Sequence, residues 1–375
     1  MIGRHDVLNL GQVRSWFAAT VSVTSSASIG AAIGVALQPN WIAGSVLAMF
    51  RVVVTDCLPE PASIERQHLD GVASVECWEA RSNDELVGRL ADVDAVILYH
   101  EISMSRELMA EMNRCKITTR GGVGYDNVDL TAATDFGILV THVPHYGVDE
   151  VADHAIGLML SLRRGLCASQ MRLKDGLKPW DRGAVEPLQR LAGQTFGVIG
   201  CGRIGTAAAL RAKAFRMDVV FYDPYLPAGV EKALGFRRVS QLTHLMEQSD
   251  VVSIHAPLTD ETCGMVDAAA LKKMRGSAVL LNTARGAIVD TAAVAAAIEQ
   301  GRLAGAGIDV LPQEPATNED ALVRLWRSGS VNSSRVILTP HTAYYSEQAL
   351  EEIRHTTAAD IRRALSGERP HHIVN

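Results

Sequence analysis

Thr195–Phe215 reads TFGVIGCGRIGTAAALRAKAF: an apolar run, three glycines and an alanine-rich segment in immediate succession. The run has the length and content of a buried strand, and the alanine-rich segment those of a helix. Between them Gly200, Gly202 and Gly205 stand in G-x-G-x-x-G spacing, and that context gives the spacing its meaning. Gly200 permits the tight turn, Gly202 lets the backbone approach a pyrophosphate, and Gly205 lets the helix pack on the strand. Phosphates then sit at the helix N-terminus, beside Arg203 and Ile204, where free N–H groups and the helix dipole favour anions. The next strand, DVVFYD, ends in Asp223, 18 positions after Gly205. A carboxylate there accepts from an adenosine ribose diol and repels a 2′-phosphate, so the expected cofactor is NAD rather than NADP.

Five more apolar runs follow the first: DVVFYD, DVVSIH, AVLLNT, GAGIDV and RVILTP, with helical patterns between them. Six strands so arranged predict a doubly wound parallel sheet, and the chain is α/β. Upstream, RVVVTD, VDAVILY and GILVTH read as strands of an earlier parallel series, with the glycine-rich turn TTRGGVGYDNVD following a strand at Ile117. Residues 148–165 switch to helical period, and residues 346–365 form a helix acidic at its start and basic at its end, which complements its dipole.

Composition sets bounds on function. Of 375 residues, 47% are hydrophobic and 21% charged, which is globular. Thirty-six basic against 42 acidic residues leave a net charge of −6 and no basic patch, which excludes a direct nucleic-acid partner. The six cysteines form no C-x-x-C pair and have no histidine beside them at ligand spacing. That predicts a reducing, cytoplasmic setting and no metal site. His142 and His145 flank Pro144 with no third ligand near. No charge occurs between Arg14 and Arg51, yet Ser and Thr interrupt this stretch too often for a membrane span. A secretory signal, an organellar presequence and an upstream start compete there. We take the last, so that residues 1–48 are an extension outside the mature protein and the working chain begins at Met49.

Ligands of doubly wound sheets bind at the carboxyl ends of the strands. Arg285 follows one buried run, Asp309 and Glu314 the next, and His341 the last, so all can converge on one crevice. Moving a hydride between a secondary alcohol and a nicotinamide requires a proton to leave or join the oxygen. A histidine is the natural carrier, and a carboxylate on its far nitrogen fixes the tautomer and stabilises the imidazolium. An arginine polarises the carbonyl and binds a neighbouring carboxylate. Arg285, Glu314 and His341 are therefore the expected catalytic residues.

From Phe50 onward the chain resembles the D-isomer-specific 2-hydroxyacid dehydrogenases, and within them the C-terminal-binding protein branch. TRGGVGYDNVDL, GVIGCGRIG, NTARGAIVD, GIDVLPQEP and TPHTAYYSEQA carry the resemblance. It implies a flavodoxin-like substrate domain from residues 49–147 and 341–375, with a Rossmann NAD-binding domain, 148–340, inserted between them. It also implies a homodimer. By the same resemblance Asp309 holds the nicotinamide amide. Ala256, Pro257, Thr259, Thr262, Thr283 and Ala284 touch the cofactor, with Val123, Arg285 and His341 joining them. Arg120, Gly122, Val123, Gly124, Arg285 and Tyr344 meet the substrate, the glycine turn as an anion nest. The branch more often has Trp where Tyr344 stands, Cys201 replaces a larger apolar residue, and residues 319–335 are a few longer than usual. The implied activity is interconversion of a D-2-hydroxy acid and its 2-keto acid. The alternatives are an NAD-responsive corepressor-type binding protein and a phosphoglycerate or hydroxypyruvate-type dehydrogenase.

Overall fold

Val52, Val53 and Val54 are wholly buried, as are all four residues of Ala95–Leu98, because neither face of their sheet meets water. The structure, a computed structural model, describes residues 49–183 and 185–375, and the expectation for residues 1–48 lies outside them. Five parallel strands form the first sheet: β1 (Phe50–Val54), β2 (Ala73–Cys77), β3 (Ala95–Leu98), β4 (Ile117–Arg120) and β5 (Leu139–His142). Their order is β2-β1-β3-β4-β5, the flavodoxin-like winding. The sequence pattern does not reveal β2. It is an edge strand with Ser74 exposed and Glu76 bonded to Arg51, so its apolar content is too thin to register.

The second sheet has seven parallel strands: β6 (Thr195–Ile199), β7 (Asp218–Tyr222), β8 (Arg237–Arg238), β9 (Val251–Ile254), β10 (Val279–Asn282), β11 (Gly305–Ile308) and β12 (Val336–Leu338). The order is β12-β11-β10-β9-β6-β7-β8. The winding reverses at β6, which pairs with both β7 and β9, and it reverses in the first sheet at β1, which pairs with β2 and β3. The predicted six strands are present. The seventh, β8, is two arginines at the edge, which carry no apolar period.

Helix Val148–Arg163 packs on helix Arg203–Ala214 and on β10 and β11, with Leu158 and Met159 in a core shared with Phe196 and Phe221. Helix Glu347–Leu365 starts at Ser346, whose Oγ accepts the Ala349 N–H at 2.9 Å, and buries Ile353, Ile361 and Leu365 among Val52, Val54 and Leu69. The chain then closes on the first sheet, Ile373 bridging Thr141. Both ends of the described chain thus serve one sheet.

Candidate active site

The switch points of the two sheets face a cavity of about 710 Å³. A recess of about 190 Å³, lined by His100, Arg120, Arg285, Glu314 and His341, adjoins it. His341 leaves β12 through Pro340 with a φ of +54°, a left-handed conformation that a β-carbon disfavours. It is held there from outside. Asp309, 2% exposed, accepts from the Thr342 and Ala343 N–H groups at 3.0 Å each and from the Thr339 hydroxyl at 2.5 Å, and its carbonyl accepts the His341 N–H at 2.8 Å. Asp309 lines the cavity but commits both carboxylate oxygens to the segment that carries the histidine. The sequence reading gave it only a cofactor role.

The His341 Nδ1 lies 2.7 Å from Glu314 Oε2, and Glu314 Oε1 accepts the Leu311 N–H at 2.8 Å. Burial pushes the Glu314 carboxyl up, but the imidazole and the Leu311 N–H outweigh it and leave the carboxyl below its usual value. Arg285 lines the same recess. Its Nε donates to Asp126 at 2.9 Å and its Nη1 to the Ala284 carbonyl at 2.8 Å, while Nη2 has no partner among the described residues. Gly286 makes this approach possible, because a β-carbon there would stand 1.9 Å from the Leu311 carbonyl carbon. The expected catalytic three therefore meet, although Arg285 is engaged by Asp126, a pairing 159 residues apart that no spacing announces.

Arg120 is 7% exposed and has no carboxylate within ion-pair distance among the described residues. Its Nη1 donates to the Gly121 carbonyl at 3.1 Å, and its Nε is buried without a partner. Burial lowers its proton affinity. A buried cation without a counter-charge is costly, so this one marks a place for an anion. The turn beside it is glycine for lack of space. A β-carbon at Gly122 would fall 1.4 Å from Arg120 Nη1, and one at Gly124 1.6 Å from Arg285 Nη2. Val123, Gly124 and Tyr344 line the cavity, and Gly122 lies behind it.

Gly202 opens helix Arg203–Ala214 without a side-chain cap, and a β-carbon there would meet nothing within 4 Å. Gly200 and Gly205 do not line the cavity. They let the backbones close up, since β-carbons would stand 2.6 Å from the Ala256 nitrogen and 2.1 Å from the Gly200 oxygen. Arg203, Ile204, Ala256, Pro257, Thr259, Thr283 and Ala284 all line it. Thr262 instead shapes its loop, donating to the Pro257 carbonyl at 2.7 Å. Asp223 sits behind the glycine loop and accepts the Cys201 N–H at 2.9 Å. Thr283 Oγ1 is buried without a partner. An uncapped helix start, open space at Gly202 and an orphaned hydroxyl together fit a dinucleotide.

The sequence reading passed over Tyr146, His100 and His255, all of which line the cavity. Tyr146 packs edge-on against Tyr344 at 6.2 Å, and the His100 ring lies 5.6 Å from that of His341. His100 and His255 stand at the exits of β3 and β9, so the strand-exit logic that finds His341 would have found them. Burial lowers His255 to about 4.

A family model described as D-isomer specific 2-hydroxyacid dehydrogenase, NAD binding domain, matches residues 156–343. D-3-phosphoglycerate dehydrogenase of Methanocaldococcus jannaschii is 32% identical over 327 residues, 87% of this chain and 60% of that one. C-terminal-binding protein 1 of Caenorhabditis elegans is 34% identical over 319 residues, 84% of this chain and 43% of that one. The chain thus spans less than two thirds of either curated relative. The solved structure of D-lactate dehydrogenase from Aquifex aeolicus, complexed with NAD and lactic acid, superposes with a TM-score of 0.76 at 30% identity, covering 84% of this chain and 96% of that one.

Proposed function

Since the chain belongs to the D-isomer-specific 2-hydroxyacid dehydrogenases, we propose that it interconverts a 2-keto acid and its D-2-hydroxy acid with NAD as cofactor. The His341–Glu314 contact at 2.7 Å, facing two arginines across one recess, carries this reading. Held at Gly202, Arg203 and Ile204, a bound nicotinamide dinucleotide would supply or accept the hydride. Glu314 holds the Nδ1 proton of His341, which leaves Nε2 to give its proton to the developing alkoxide in reduction and to take it back in oxidation. Arg120, a buried cation without a counter-ion, binds the substrate carboxylate, and the free Nη2 of Arg285 polarises the carbonyl oxygen. Residues 148–340 hold the cofactor and residues 49–147 with 341–375 the substrate.

The cavity wall supports a substrate with an apolar side chain, because Leu58, Tyr146, Tyr344 and Leu350 stand around the space beyond the arginines. A homodimer is supported by Leu177, Trp180 and Val331, which expose 69%, 77% and 79% of their surface. A pure binding protein is less favoured, since it has no use for a histidine strained into contact with a carboxylate. Oxidation of NADH with a panel of 2-keto acids tests the proposal. Branched or aromatic keto acids are expected to exceed glyoxylate in kcat/KM, and NADH to exceed NADPH by over ~100-fold through Asp223. Intact NADH binding with no turnover of any keto acid would turn the reading toward a cofactor-sensing binding protein.

A further inference from the structure

We propose that Cys57, His100 and Glu101 form a site for a soft divalent cation of the zinc class at the cavity rim, and that its occupancy opposes catalysis. One donor atom from each of the three lies within 4.8 Å of the others. The Cys57 Sγ is 3.8 Å from His100 Nδ1 and 3.9 Å from Nε2. On a tetrahedral zinc, sulfur and imidazole nitrogen stand roughly 3.6 Å apart, so the pair needs a shift of a few tenths of an ångström, and Glu101 a change of rotamer that releases Arg81, 3.1 Å away. Substrate or water completes the fourth position.

The framework beneath the three is fixed. Asp56 is fully buried and joins the exits of β1 and β3, its Oδ1 accepting the Tyr99 N–H at 2.8 Å and its Oδ2 the Glu101 N–H at 2.9 Å. The same carboxylate stands 3.4 Å from the Cys57 sulfur. Cys57 itself has a φ of +63°, a conformation a non-glycine residue keeps only when its surroundings impose it. Burial, with Asp56 beside it, pushes the thiol up to about 12. A metal must displace that thiol proton, and the buried Asp56 carboxylate 3.4 Å from the sulfur supplies negative charge that favours a dication there. A cation on His100 stands beside the His341 ring, 5.6 Å away between centroids. It therefore intrudes on the recess that His100 shares with His341, Arg120 and Arg285, where the substrate has to lie.

Cobalt(II) titrated into the full chain reads the site directly. The expected result is one equivalent per chain with a sulfur-to-cobalt charge-transfer band, displaced by zinc. Cys57→Ser should abolish the band while keeping the thermal unfolding profile, and His100→Asn should weaken binding by at least ~10-fold. Zinc should suppress keto-acid reduction by at least ~10-fold in the unaltered chain, reversibly on chelation, and spare Cys57→Ser. The turnover measurement rests on the proposed dehydrogenase reading, and the spectroscopic one does not. No thiolate band, or a band that survives Cys57→Ser, would overturn the site. A filled site that leaves turnover unchanged would overturn its inhibitory role.

Discussion

His341 is held at a φ of +54° by Asp309 while Glu314 takes its Nδ1. Strain of this kind costs on the order of 1–3 kcal/mol and persists only where neighbours over-determine it. Removing the charge and removing the ring should therefore read differently. Glu314→Gln keeps the shape but leaves the imidazolium without its counter-charge, so the alkaline limb of keto-acid reduction should move to lower pH. The acid limb of hydroxy-acid oxidation should move the same way, and pH–rate profiles that stay put would dissolve the dyad. His341→Ala should slow both directions by ~100-fold or more without a comparable loss of NADH binding. His255 gives a second pH signature. Its folded value of about 4 lies below the unfolded value of roughly 6.5, so between those limits the unfolded chain takes a proton that the folded one refuses. Stability should fall by up to about 3 kcal/mol as pH drops from 6.5 to 4. Denaturant unfolding at the two pH values measures this, and His255→Gln should flatten the difference.

At the level of elements, each expected functional residue sits where a strand ends, and loop backbones determine whether those ends meet. β10 delivers Arg285, β11 delivers Asp309 and β12 delivers His341 because parallel strands end on one edge. Gly286 then lets the Arg285 loop touch the Leu311 loop that leads to Glu314. Gly286→Ala puts a methyl into the Leu311 backbone, where no side chain can move aside, and should cost ~1–3 kcal/mol. It should also lower kcat by moving Arg285 away from the dyad, and an unchanged midpoint of denaturation would refute the close approach. The strand exits were legible because their apolar runs are continuous. β2 and β8 were not, because Ser74 and Glu76 interrupt the apolar content of the first and the second is only two arginines.

For the whole molecule, the question is what binds the returning chain end to the first sheet. Arg354, on helix Glu347–Leu365, reaches helix Ser63–Leu69, where Nε and Nη2 meet the two Glu65 oxygens at 2.8 and 2.7 Å. The Glu65 side chain is wholly buried and that of Arg354 16% exposed. Arg354→Ala leaves the carboxylate buried and alone, and a broken buried pair costs about 3–5 kcal/mol. Thermal unfolding should show a loss of that size, while the double variant Glu65→Leu with Arg354→Met should recover most of it. A double variant as unstable as Arg354→Ala would show that the pair itself is needed. Among the described residues no helix is long and apolar enough to cross a membrane.

By itself the sequence determined what is local and periodic: the glycine loop with its helix, the run of buried strands, and a histidine, a carboxylate and an arginine at successive strand ends. Those features follow from side-chain period and backbone freedom over a few residues, which a single chain displays openly. The tertiary structure alone decided the pairings that cross from one sheet to the other, from one helix to another or from one strand exit to another. Arg285 with Asp126, Arg354 with Glu65 and Cys57 with His100 join residues 159, 289 and 43 positions apart. Absence of a nearby histidine around the cysteines argued against a metal from spacing, yet two strand exits bring Cys57 and His100 within 4 Å. Chain separation carries no record of which loops the winding of a sheet sets side by side.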